Sequence, residues 1–165
     1  MRVTLLKVEL QIDKFNVVDV WRKVRMNKFD GLIDLIEPLS TDEYGEWIID
    51  KKRKGTIDDP TQIPFPSYSD VVCELIRQVY SFEDENPDFE LTNYRRLLSE
   101  RGLEWGSKAL EQADVSLIDA QGIMAMLMVI VRAERFCDGT ILAACKSGSI
   151  LRWLQRLKTL RDDNV

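Results

Sequence analysis

The sequence predicts a mainly α protein: a single helical bundle carrying a short N-terminal β-strand or hairpin appendage. Two patterns predict it. Leu6, Val8, Leu10 and Ile12 alternate strictly with Lys7, Glu9, Gln11 and Asp13, the period of a half-buried strand. From Met26 onward the apolar residues recur instead at intervals of three and four, as on amphipathic helices. The length of 165 residues, 45% of them hydrophobic and 31% charged, suits one domain with a proper core and leaves too little for two. The chain therefore divides into an extension over residues 1–25 and a helical domain over residues 26–165.

The extension is basic, with Arg2, Lys7, Lys14, Arg22, Lys23 and Arg25 against Glu9, Asp13 and Asp19. Phe15, Val17, Val18 and Val20 continue it as a second strand or as the start of a helix. A lone hairpin is marginal in water, so this piece leans on the helices or on another chain. Met26 is an alternative start, which would make the extension optional.

In the helical domain, Asn27 caps a helix running through Phe29, Leu32, Ile33 and Ile36, which Pro38 stops. Residues 50–68, opening with Asp50-Lys51-Lys52-Arg53-Lys54-Gly55 and containing Pro60, Pro64 and Pro66, read as a long loop of the functional or mobile kind. Ser67 or Ser69 caps the next helix, whose Val72, Leu75, Ile76, Val79 and Tyr80 share a stripe. The acidic turn from Glu83 to Asp88 ends it. Thr92 caps a short helix through Tyr94, Leu97 and Leu98 as far as Gly102, and Ser107 starts another turn. Ser116 and Asp119 form a capping box for a helix that is apolar almost all round from Ile123 to Val131, hence central and buried. Gly139 and Gly148 punctuate the chain beyond it. Ser149 opens a last amphipathic helix with Ile150, Trp153, Leu154 and Leu157 inward.

Composition excludes several chemistries. The chain has no histidine, which rules out Ser-His-Asp triads, Cys-His dyads, histidine metal sites and histidine pH switches. A net charge of −5 argues against nucleic-acid binding, which depends on neutralising phosphates. The longest uninterrupted apolar run, Ile123 to Val131, is far short of the roughly 20 residues of a membrane span. Cys73, Cys137 and Cys145 are an odd set without an apolar signal core before them, which points to a reducing cytoplasm. They include no close pair and read as core-packing thiols; neither a metal nor another cofactor is expected.

The densest polar group beside an apolar helix is Arg132-Ala133-Glu134-Arg135-Phe136-Cys137-Asp138-Gly139. If the helix continues, Arg132, Arg135 and Asp138 share a face and can hold a carboxylate or phosphate. The plainer reading pairs Arg135 with Asp138 as a structural ion pair fixing the turn. Cys137, just past two arginines, has the setting of a thiolate but no histidine base. Ile63-Pro64-Phe65-Pro66-Ser67-Tyr68-Ser69 is a Pro-aromatic segment of a kind that docks partners or covers a core. Trp47, after Tyr44 and Gly45, is ambiguous in the same way. Lys51 to Lys54 reads as a solvated run balanced by the Glu83–Asp88 turn.

In order along the chain, Gly45-Glu46-Trp47, Ile63 to Ser69, Arg132 to Gly139 and Lys146 to Leu157 resemble a bacterial family known as domain of unknown function 6508, over roughly residues 26–160. The most specific piece is Arg135-Phe136-Cys137-Asp138-Gly139. Where the family pattern often follows that glycine with a histidine, this chain has Thr140. The resemblance implies bacterial origin and the domain boundaries, and it implies no activity, substrate or cofactor.

The leading functional expectation is a cytoplasmic protein that binds another protein, either a different subunit or itself, through the appendage or the Pro-aromatic segment. An enzyme is the less favoured reading. The alternative is a small-ligand binder or enzyme using Arg132, Arg135 and Asp138, with Cys137, Trp47 and Tyr68 lining its pocket. A nucleic-acid accessory role through Lys51–Lys54 and the face bearing Arg152 and Arg156 ranks third, and no membrane association is expected.

Overall fold

A computed structural model describes residues 27–41 and 43–163. The strand expectation for residues 1–25 lies outside the described residues. Within them the protein is mainly α, with one small antiparallel hairpin.

The chain enters through a 3-10 turn, Asn27–Phe29, and continues into α1 (Asp30–Ile33) and α2 (Ile36–Leu39). This differs from a single helix that Pro38 stops: the helix breaks at Asp34 and Leu35, and Pro38 sits in the first turn of α2. A proline costs nothing there, because first-turn N–H groups have no intrahelical acceptor. Leu32, Ile33 and Leu39 are buried.

Strands β1 (Gly45–Ile48) and β2 (Phe65–Tyr68) pair antiparallel, with Gly45 opposite Tyr68 and Ile48 opposite Phe65. Part of the expected long loop is thus strand, and the true connection is residues 49–64. A second small closure holds that connection: Thr56 and Asp59 exchange backbone hydrogen bonds of 3.1 and 3.2 Å.

Helix α3 (Asp70–Glu85) buries Val72, Leu75, Val79 and Phe82 along one stripe. Ser69 takes the cap position with extended backbone, yet its hydroxyl makes no cap bond. Asn86 closes the other end by donating its side-chain amide to the Phe82 carbonyl at 2.9 Å. Phe82 stacks on Phe29 and meets Phe89 edge-on, which ties the chain entry to the end of α3. Two 3-10 turns, Pro87–Phe89 and Leu91–Asn93, lead to α4 (Tyr94–Glu100), and α5 (Ser107–Gln112) comes next.

Helix α6 (Ala120–Ala133) is the centre of the molecule. Every residue from Gly122 to Val131 is buried, as its unbroken apolar run requires. Burying each Leu, Ile, Val or Met side chain contributes roughly 1.5–3 kcal/mol. The cap is Asp119 itself, whose Oδ1 accepts from Gly122 N at 2.8 Å, rather than Ser116 three residues earlier. Arg101 fixes that carboxylate with two hydrogen bonds of 2.7 and 2.8 Å and thereby pulls its pKa down. Helices α3, α4, α5, α7 (Thr140–Lys146) and α8 (Ser149–Asp162) pack around α6, and α8 also meets α1 and α2. Trp153 of α8 is fully buried.

Candidate functional site

Three of the sequence segments behind the family resemblance, those holding Trp47, Tyr68 and residues 132–139, meet at the carboxyl end of α6. The helix stops at Ala133, and residues 134–139 form a turn that Gly139 ends with φ +83°, a conformation glycine adopts without a Cβ penalty. Space as well as torsion demands glycine here: a Cβ would collide with the indole ring of Trp47, which lies over the turn.

Glu134 organises the turn. Its Oε1 accepts from the Gly139 N–H at 2.7 Å and from the Tyr68 hydroxyl, and its Oε2 accepts from the Ile141 N–H at 2.9 Å. One carboxylate thus caps the start of α7 and clamps β2 onto the bundle. Burial, and after it the Glu134 carboxylate, pushes the Tyr68 hydroxyl far above the usual tyrosine range, so it stays a donor. Sequence reasoning passes over Glu134. The available signal is an acid in the last turn of an apolar helix, where the helix dipole favours a cation.

Trp47 and Tyr68 therefore come together, on one face of the hairpin, against residues 134–139. Arg132, Arg135 and Asp138 do not share a helical face. Such a face required the helix to continue, and it ends one residue after Arg132. Arg132 pairs with Glu83 at 2.6 Å and lies over the Tyr94 ring, bordering an open cavity of about 390 Å³ lined by residues 92–96. The other arginines of that cavity are also engaged: Arg95 stacks on Trp105, and Arg96 pairs with Glu90 and Glu100. Arg135 is exposed and sits over the Tyr80 ring, and Asp138 is exposed with no ion pair to Arg135.

The thiols divide as well. Only Cys145 is buried, and burial pushes its pKa up to about 12. Cys137 is exposed because it lies in the turn, and Cys73 because it falls off the buried stripe of α3, which corrects the expectation of three core thiols. The basic run is solvated as expected, but its balancing acids are local. Asp50 Oδ1 accepts from Lys52 N at 2.9 Å, Asp50 pairs with Arg53 at 3.3 Å, and Asp59 accepts from Lys54 N at 3.1 Å. No group of three or more potential metal ligands gathers among the described residues. No described helix is long and apolar enough to cross a membrane.

What remains is an apolar surface. On the face of the hairpin turned away from the bundle, the paired residues Ile48 and Phe65 are both exposed. Ile49 and Ile63 flank them in the open, Trp47 is 42% exposed, and Phe136 at the tip of the adjoining turn is 91% exposed.

A family description matches residues 24–163, that of a family of unknown function designated DUF6508. No curated protein and no solved structure matches the chain.

Proposed function

The chain belongs to the DUF6508 family, which brings no activity with it, and we propose that it acts by binding protein through the outer side of the hairpin and the adjoining 134–139 turn. The observation behind this reading is a set of exposed apolar side chains: the cross-strand pair Ile48 and Phe65, Ile49 and Ile63 next to them in the chain, and Phe136 on the turn that Trp47 and Tyr68 hold. Exposed apolar groups that gather rather than scatter mark interaction surfaces. The scaffold is also suited to recognition, since Tyr68, Glu134 and Trp47 fix the hairpin to the bundle and preorganise its outer face. The cytoplasm is the proposed location, and a bacterium the proposed source.

Photo-cross-linking tests it. A benzophenone amino acid replacing Phe65 or Phe136 is expected to give discrete protein adducts in the native host, and Ile48→Lys to diminish them. The control position is Leu117, as exposed as Phe136 but before the start of α6, about 20 Å of helix away from the turn. Absence of adducts from 65 and 136, or the same adducts from 117, overturns the reading.

A further inference from the structure

The two edges of the hairpin are chemically unlike. Along an antiparallel strand, backbone groups point alternately toward the partner strand and away from it. Ser69 N donates to the Tyr44 carbonyl at 3.1 Å, so Tyr44, Glu46 and Ile48 face the other strand, while Gly45, Trp47 and Ile49 face outward. The same parity turns residues 64, 66 and 68 outward on the other side. Pro64 and Pro66 occupy two of those three positions and have no N–H to give. The outer edge of β2 is closed to a further strand. That of β1 is open: Gly45, Trp47 and Ile49 carry N–H groups, and none pairs with another strand among the described residues.

Charge runs along β1 with a direction. Glu43 and Glu46 stand at its start, and Lys51, Lys52, Arg53 and Lys54 lie past its end, all exposed. An antiparallel mate needs the reverse order, bases beside the acids and acids beside the bases. A second copy of the same strand has it.

We infer that β1 pairs edge to edge with β1 of a second copy, antiparallel about Trp47, giving a two-fold dimer with the four-stranded sheet β2–β1–β1–β2. The inference goes beyond the protein-binding reading, which concerns the outer face of the hairpin, and concerns its edge instead. In this register Trp47 meets its own copy, Gly45 meets Ile49, and Glu43 stands opposite Lys51. Every contact away from the two-fold axis is made twice, as a self-complementary interface requires. The outward N–H groups gain acceptors, Trp47 loses exposure against its copy, and a two-stranded sheet of marginal size becomes one of four strands.

Sedimentation of the full chain over a wide concentration range tests this. The wild type is expected to dimerise. Ile49→Pro removes an outward donor without touching a bond between β1 and β2, and is expected to sediment as a monomer with an unchanged circular dichroism spectrum. Glu43→Lys and Lys51→Glu each place like charges opposite one another twice, and each is expected to weaken the dimer by about tenfold in dissociation constant. Mixing these two variants in equal amounts restores both opposite-charge pairs, so the mixture is expected to dimerise as the wild type does. A monomeric wild type overturns the inference; adducts to other proteins from position 65 would then leave the protein-binding reading standing. A dimer indifferent to Ile49→Pro, or single variants that mixing does not rescue, also overturns it.

Discussion

Removing the Glu134 carboxylate should be costly for a partly exposed side chain. Three donors converge on it: the hydroxyl of Tyr68 from the hairpin, and the N–H groups of Gly139 and Ile141 at the head of α7. Hydrogen bonds to a charged acceptor contribute roughly 1.5–3 kcal/mol each in net terms, and three on one group are not additive. Glu134 is only partly buried, so water recovers part of the loss. Glu134→Ala is therefore expected to destabilise by about 3 kcal/mol, which lowers Tm by roughly 6–12 °C for a domain of this size. Glu134→Gln keeps an oxygen for two of the donors but turns an amide N–H toward that of Ile141, and should cost about 1–2 kcal/mol. Tyr68→Phe preserves the ring and should cost about 1 kcal/mol, with a favourable coupling to Glu134 in a double-mutant cycle. The raised pKa of Tyr68 sets the sign of the pH dependence. Its stabilisation is fully present below the ordinary tyrosine value of about 10 and is lost as pH rises beyond it, and Tyr68→Phe removes this alkaline loss. Urea denaturation measures all of these. If Glu134→Ala unfolds within half a kcal/mol of wild type, the carboxylate does not hold the hairpin to the bundle.

Asp119 gives the opposite pH signature: its depressed pKa contributes stability that is present above about pH 4 and lost as pH falls below it, and Asp119→Asn should flatten the acid limb of the stability curve. Gly139→Ala, which meets both a positive φ and the Trp47 ring, should destabilise by about 1–3 kcal/mol and change the near-ultraviolet dichroism of the tryptophans. Arg132→Ala leaves Glu83 without its ion-pair partner and should cost about 1–2 kcal/mol in thermal denaturation, whereas Arg135→Ala and Asp138→Ala should each stay within about 0.5 kcal/mol.

The reach of the sequence depends on how local each determinant is. The burial of α6 and the inward stripe of α8 depend on side chains of the helix itself, and both are legible. Caps are decided by competition between neighbours. Ser116 and Asp119 both have capping chemistry, and Arg101, eighteen residues upstream of Asp119, holds the acid in place. Pro38 misleads because a proline that ends one helix and one that begins the next look alike until the break before it is placed. The hairpin is hidden because two prolines mark a loop unless both point to the same unpaired edge. At the candidate site, Trp47 and Tyr68 stand out by residue type. Glu134 does not, because its role comes from a hydroxyl 66 positions away and two amides beyond a turn. The shared helical face of Arg132, Arg135 and Asp138 is not formed, because it assumes that α6 runs through Asp138.

Pro64 and Pro66 also decide how far assembly can go. A hairpin with two open edges accepts strands on both sides, and nothing in its geometry stops a third copy from joining the second, which is the route to filaments. Here each chain has one edge able to pair and one that is not, so a pairing event consumes both open edges and leaves prolines on both flanks. Growth by strand addition ends at two. Replacing both prolines with residues that carry an N–H would remove that stop and convert a finite pairing into an unbounded one.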